Sequence, residues 1–176
     1  MSGLEKAGID ALLARLNEKL QRDNVRGEIF LVGGAVMCLV FSARASTKDI
    51  DAFFEPASHI RAAALEIARE EGIPKHWLND AVKGFLSEKG RFDRYMELSH
   101  LKVFNAQPEY LFAMKCMAMR IGEEFHDLDD VRYLLRFLGL STYEQALDVI
   151  ARYYPLERVP QKTLYALEEL AEESGL

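Results

Sequence analysis

Residues 28–55 read EIFLVGGAVMCLVFSARASTKDIDAFFE, and this stretch decides how the rest of the chain is understood. Ile29, Phe30, Leu31 and Val32 form a short apolar run rich in strand formers, and Gly33-Gly34 stops it, so the run reads as a buried strand ending in a tight turn. A helix over 35–43 then leaves that turn. With no Cβ at Gly33 or Gly34, the backbone N–H groups at such a start make a seat for phosphate. Ser46-Thr47 predict a turn, and 48–55 alternates as a second strand.

Side chains repeat every second residue in a strand, so Asp49 and Asp51 leave one face while Ile50 and Ala52 leave the other. On a helix the two acids would stand about 200° apart. The strand and a shared acidic site therefore stand or fall together. Two like charges side by side destabilise a sheet unless a positive group lies between them, and a hard divalent cation with oxygen ligands answers that need. Without a cation, the same pattern describes a sharp turn followed by solvated acids on a sheet edge.

Gly33-Gly34, a helix, and then Asp49-Ile50-Asp51 resemble the signature of the DNA polymerase β-like nucleotidyltransferase superfamily. The form VGGA, then R.ST.DID, is most similar to its small bacterial branch, which includes abortive-infection-type nucleotidyltransferase toxins. The resemblance implies an α+β fold with a small mixed sheet of the nucleotidyltransferase type, helices upon it, and a C-terminal helical annex. It implies that Gly33 and Gly34, with Thr47 and Lys48 of the same motif, bind the nucleotide. Asp49 and Asp51 would hold Mg²⁺ (or Mn²⁺) for attack on the α-phosphate of an NTP. The superfamily draws a third carboxylate from a neighbouring strand; Glu97, the only acid within the strand candidates 95–99 and 101–104, could fill that place. A hydrophobic-Asp-hydrophobic strand is missing there, which bears on catalysis more than on nucleotide binding.

The bulk composition sets outer bounds. A chain of 176 residues suffices for one ordinary domain, or a core with a helical annex; the reading divides it into a core over 1–106 and a helical region over 107–176. Hydrophobic residues at 49% and charged residues at 28% describe a globular composition rather than a disordered one. Lys+Arg 22 against Asp+Glu 28 leaves a net charge of −6, so no global basic field recommends nucleic acid. Cys38 and Cys116 sit in apolar helical runs as buried thiols, in keeping with a reduced cytoplasmic protein. The N-terminus lacks an apolar signal core. The longest apolar stretch, 29–43, falls short of the ~20 residues of a membrane span.

Outside the central stretch, leucines at helical spacing predict an amphipathic helix over 4–22, and Pro56 with Ser58 opens another that ends at Gly72. Trp77 is expected in the core. Asp80 is open to two roles: N-cap of a short helix through Phe85, or, from a similar WLND segment in the bacterial relatives, a nucleotide-site residue. Pro108 and Glu109 start a helix that runs to about Gly122 and embeds Lys115 in apolar surroundings. That lysine either snorkels to solvent or reaches an acid or a phosphate. EYLFAMKCMAMR followed by HDLDDVRYLL resembles a second segment of the bacterial relatives; carried over, Lys115 touches phosphate or an acid, while Arg120, Asp127 and Asp130 form supporting ion pairs. From the residues alone, Asp127 is a helix cap. His126 has no matched ligand partner, so zinc is not expected. The spacing of Ser141 to Glu144 is that of a capping box, and an acidic helix is expected over 161–174.

GxSxG, HExxH, CxxC, GxxxxGK[ST] and GxGxxG are all absent from the sequence. Two functions stay open: a nucleotidyltransferase moving a nucleoside monophosphate to a hydroxyl of RNA, protein or a small molecule, or an inactive nucleotidyltransferase-like module, antitoxin-like, whose acidic helices hold a protein partner or a second copy.

Overall fold

The computed structural model describes residues 3–173 and shows an α+β fold. The chain divides into two compact units, Met1–Gly84 with Phe92–Ala106, and Phe85–Arg91 with Gln107–Leu176. Residues 85–91 thus belong with the helical region, whereas the sequence reading placed them in the core.

The first unit is built on a mixed sheet. Its strands are β2 (Gly27–Leu31), β4 (Ile50–Glu55), β5 (Leu78–Asn79), β6 (Phe92–Glu97) and β7 (Leu101–Ala106); β1 (Leu4–Glu5) and β3 (Ser46–Thr47) pair only with each other. The order across the main sheet is β5-β4-β2-β7-β6. β2 runs antiparallel to β4 and parallel to β7, β4 parallel to β5, and β6 antiparallel to β7. One face is apolar: Ile29, Leu31, Ile50, Ala52, Phe54 and Val103 are buried. Helices α1 (Lys6–Arg22) and α3 (Ala57–Glu71) lie over it, α1 through Ile9, Leu13, Leu16 and Leu20, α3 through Ile60, Ala63, Ala64 and Ile67. Gly27 marks the closest approach, because a Cβ there would stand 3.0 Å from both Leu20 and Ile60.

The outer sides of α1 and α3 are joined by ion pairs. Arg15 binds Glu70 and Glu71, and Lys19 lies 2.9 Å from Glu66 and 2.5 Å from Glu70. These pairs lie at or near the surface and add little stability. Helix α1 starts later than its leucine pattern predicts, since Leu4 and Glu5 pair with Thr47 and Ser46. The expected helix over 35–43 is α2 (Gly33–Leu39), two residues earlier at its start and shorter at its end, where Ser42 adopts φ 51°.

The second unit contains α4 (Pro108–Met117), α5 (Asp127–Phe137), α6 (Tyr143–Ala151) and α7 (Gln161–Glu173). Tyr110 is its hub: fully buried, it stacks on Tyr153 at 5.1 Å and accepts a hydrogen bond from the Ser87 N–H at 2.9 Å. Thr163 at the start of α7 donates to the Cys116 carbonyl at 2.9 Å, tying α7 to α4. The capping box is present one residue along from its expected place: Thr142 caps α6 and Gln145 answers it. Ser174, the end of the expected C-terminal helix, lies outside the described residues. Both cysteines are buried. Among the described residues no helix is long and apolar enough to cross a membrane.

Candidate functional site

The alternation in KDIDAFFE survives in the structure. Ile50 and Ala52 are fully buried, and Asp49 and Asp51 on either side of Ile50 are half-buried. Asp49 sits one residue ahead of β4, in a bend rather than in the strand. The turn from β2 lies beside them for a reason of register. Leu31 pairs with Ala52, and the Val32 N–H donates to the Asp51 carbonyl at 3.0 Å. The next residue, Gly33, is therefore brought alongside Asp51.

Two features make Gly33 a position for glycine. Its φ of +65° is strained for residues with a Cβ, and a Cβ built there would stand 3.0 Å from Asp51 Oδ2. Gly34 is hemmed in by polar groups instead: a Cβ would stand 2.8 Å from Arg44 Nη1 and 2.8 Å from Thr47 Oγ1. The glycine pair is thus flanked by a carboxylate on one side, and by a guanidinium and a hydroxyl on the other. Thr47, buried, donates to the Asp49 carbonyl at 3.1 Å and stiffens the approach to the acids. Val32, which precedes α2, makes no side-chain cap, so no side chain at that position takes up the N–H groups of the first turn.

The neighbouring strand contributes a residue that the sequence reading passed over. β5 pairs Leu78 with Ile50 and Asn79 with Asp51, so Asn79 shares the acid face. Its Nδ2 donates to Asp49 Oδ2 at 3.2 Å, and its Oδ1 accepts from the Ala81 N–H at 3.3 Å. Trp77 holds this short strand in place: it is buried, its indole N–H donates to the Ala64 carbonyl at 2.9 Å, and its carbonyl accepts from the Ile50 N–H at 2.7 Å. A two-residue strand carries no periodicity to read, and the only hint was the WLND segment. Arg44 was legible only as the arginine of the R.ST motif.

Asp80, which the WLND segment offered as a nucleotide-site residue, does not take that place. It binds Arg61 at 2.6 Å and Lys83 at 2.7 Å, and the hydrogen bond from Lys83, with that from Arg61, holds its carboxyl below the ordinary range. The Ala81 N–H, at the start of the 3-10 turn Ala81–Phe85, is met by Asn79 rather than by an Asp80 cap. Lys48 is exposed.

Glu97 is excluded as the third carboxylate by sheet order. Its strand, β6, is separated from β4 by β7 and β2, which at about 4.8 Å per step sets it roughly 14 Å away. Register moves it further: Glu97 pairs with Lys102, Lys102 with Glu28, and Glu28 with Glu55, four residues beyond Asp51. Its charge is taken up by Arg94 at 2.5 Å.

Lys115 reaches acids, both within the second unit. Buried on α4, its ammonium lies 3.0 Å from Asp127 and 2.7 Å from Asp130. Arg120 completes the cluster, its backbone N–H and Nε binding Asp127 Oδ2 at 3.1 and 2.9 Å. Asp127 is consequently an ion-pair centre rather than a helix cap. Burial pushes its carboxyl up, but the hydrogen bonds from Arg120 and the charge of Lys115 outweigh that and leave it below the ordinary range. This closure ends α4 at Met117, earlier than Gly122, because Arg120 must turn back toward Asp127 and stacks over Phe125 at 4.7 Å.

The donor set at the acid pair is oxygen only, from two carboxylates with an amide beside them, and no group of three or more His, Cys, Asp or Glu able to hold a metal occurs among the described residues. That set suits Mg²⁺ or Mn²⁺, which bind through one or two carboxylates and otherwise through water and phosphate. The glycine beside Asp51, where a Cβ would fill the approach, leaves room for such a ligand. No protein-family model, curated protein or solved structure matches this chain.

Proposed function

We propose that the chain is a metal-dependent nucleotidyltransferase of the polymerase β-like type, moving a nucleoside monophosphate from an NTP to a hydroxyl of RNA, protein or a small molecule. The observation that carries this reading is the contact between the two halves of the motif, Gly33 lying against the Asp51 carboxylate, with Asp49 tied to that face through Asn79. A phosphate seated on the Gly33-Gly34 backbone would lie next to Asp51. Arg44, beside Gly34, supplies a fixed positive charge on the phosphate side. Asp49 and Asp51 would hold Mg²⁺ or Mn²⁺, which when bound offsets the charge developing at the α-phosphate and favours ionisation of the attacking hydroxyl. Asn79, by donating to Asp49, orients that carboxylate toward the cation.

The test is label transfer. Purified chain incubated with each labelled NTP, Mg²⁺ or Mn²⁺, and total RNA or protein should pass label to an acceptor, and Asp49→Ala with Asp51→Ala should abolish the transfer while the fold is kept. Equal transfer by the double variant rejects the assignment.

One observation favours a second reading. The third place beside the acid pair holds an amide, Asn79, where a further carboxylate would bind a second cation. A chain that binds nucleotide without transferring it, and serves as a binding or antitoxin-like module, is consistent with that. Nucleotide binding that depends on both aspartates, with no transfer to any acceptor, supports it.

A further inference from the structure

The face that carries Asp51 continues along β4 into Phe53 and then Glu55, each two residues on, or roughly 7 Å per step. Phe53 pairs with Phe30 and Phe30 with Phe104; the Phe30 ring lies 5.8 Å from that of Phe53 and stacks on that of Phe104 at 4.9 Å. All three rings are half-buried. Beyond Phe53 the first unit contains a cavity of about 810 Å³, within the range of small-molecule sites. Phe53, Glu28, Glu55, Arg26, Lys83 and Lys102 are in its wall. Neither the glycine turn nor the acid pair uses it.

Its chemistry narrows the occupant. Glu28 and Glu55 stand directly opposite each other across β2 and β4, a like-charge pair that a sheet disfavours unless donors come between them. Both are exposed and offer acceptors only. Arg26, Lys83 and Lys102 stand in the wall against Glu28, Glu55 and Glu97, so the cavity suits a neutral polar ring better than a multivalent ion of either sign. Phe53 adds an aromatic surface. A flat ring with in-plane N–H donors satisfies the phenylalanine and the two glutamates together.

We infer that this cavity receives the nucleoside end of the nucleotide, with Phe53 stacking on the base and Glu28 and Glu55 accepting from its exocyclic amino group. The inference rests on the proposed seating of the triphosphate at Gly33, Asp49 and Asp51. One sugar separates an α-phosphate from its base, and the succession Asp51, Phe53, Glu55 offers phosphate, base and base edge their places in that order. Adenine, guanine and cytosine carry the amino group; uracil offers only its ring N–H, with a carbonyl on either side that repels the carboxylates, and is disfavoured.

Calorimetry on the full chain with Mg²⁺ separates this from the function on which it rests. The ligands are inorganic tripolyphosphate and non-hydrolysable analogues of ATP and UTP. The ATP analogue should bind about tenfold more tightly than tripolyphosphate, and Phe53→Ala should erase that gain while Phe53→Tyr keeps it. The UTP analogue should gain less, and Glu55→Gln should narrow the difference between the two nucleotides. Tripolyphosphate affinity and a thermal melt report whether each variant is folded; if Phe53→Ala fails to fold, the ATP and UTP comparison in the wild type and in Glu55→Gln decides. An ATP analogue that binds no more tightly than tripolyphosphate, or a gain that survives Phe53→Ala, overturns the cavity assignment alone. Tripolyphosphate binding that is unchanged in the Asp49→Ala, Asp51→Ala variant removes the proposed function, and this inference with it.

Discussion

Two pairs of aspartates in this molecule meet opposite fates. Asp127 and Asp130, on the first turn of α5, are buried and share the ammonium of Lys115, with Arg120 on Asp127 as well. Asp49 and Asp51, around the start of β4, are half-buried and have an amide and a glycine beside them. Residue type does not separate the two pairs; burial does. A buried carboxylate must be neutralised by its own protein, and once neutralised it has little left to offer a ligand. A half-buried pair beside a glycine turn stays within reach of something that arrives from solution.

The sharpest way to break this comparison is to remove the charges of each pair in turn. Asp49→Ala with Asp51→Ala should abolish Mg²⁺-dependent nucleotide transfer with an unchanged thermal melt; a large loss of stability instead would show that these acids are structural too. Lys115→Met leaves two buried carboxylates uncompensated and should cost about 3–5 kcal/mol in urea unfolding. A loss of less than about 1 kcal/mol, the scale of an exposed pair, would return Lys115 to the role of a solvated lysine.

Gly33→Ala forces a side chain into the left-handed region and against the Asp51 carboxylate, with an expected loss of about 1–3 kcal/mol and weaker Mn²⁺ binding. Asn79 sharpens the comparison from the other side. Asn79→Ala should lower Mn²⁺ affinity about tenfold through loss of the amide that orients Asp49, while Asn79→Asp should raise it by adding a third carboxylate. Identical affinities in all three proteins would leave Asn79 with a structural part only.

The smallest effect is one of pH. The folded carboxyl of Asp127 titrates below 3.8, the ordinary value kept by the unfolded chain. Its contribution to stability is therefore present above pH 3.8 and is lost as the pH falls from there through the lowered folded value. Acid unfolding followed by circular dichroism should show Asp127→Asn less stable than the wild type at neutral pH, with the difference shrinking in that acid range. A constant difference across it would count against the ion pair.

Much of this was legible before any coordinates. The alternation from Ile50 to Glu55 is a local property, since residues two apart in a strand share a face whatever the rest of the chain does. The glycine pair followed the same logic, a tight turn at the end of an apolar strand, which the structure makes with a positive φ at Gly33. Trp77 in the core, the leucine face of α1 and the helix start at Pro108 were equally local. Helix ends were less secure: α4 stops at Met117 because a residue ten positions on, Asp127, draws Arg120 back, and α1 gives up Leu4 and Glu5 to pairing with residues more than forty positions away.

What sequence alone determined about this protein is its helices and longer strands and the face on which Asp51 lies, because these follow from periodicities of two and 3.6 residues that are written into neighbouring positions. Tertiary structure decided which residues meet: that Asn79 and not Asp80 stands by Asp49, that Glu97 ends up three strands away, and that Lys115 belongs to Asp127 and Asp130. Strand order and register join residues tens of positions apart, and no short-range pattern carries that information.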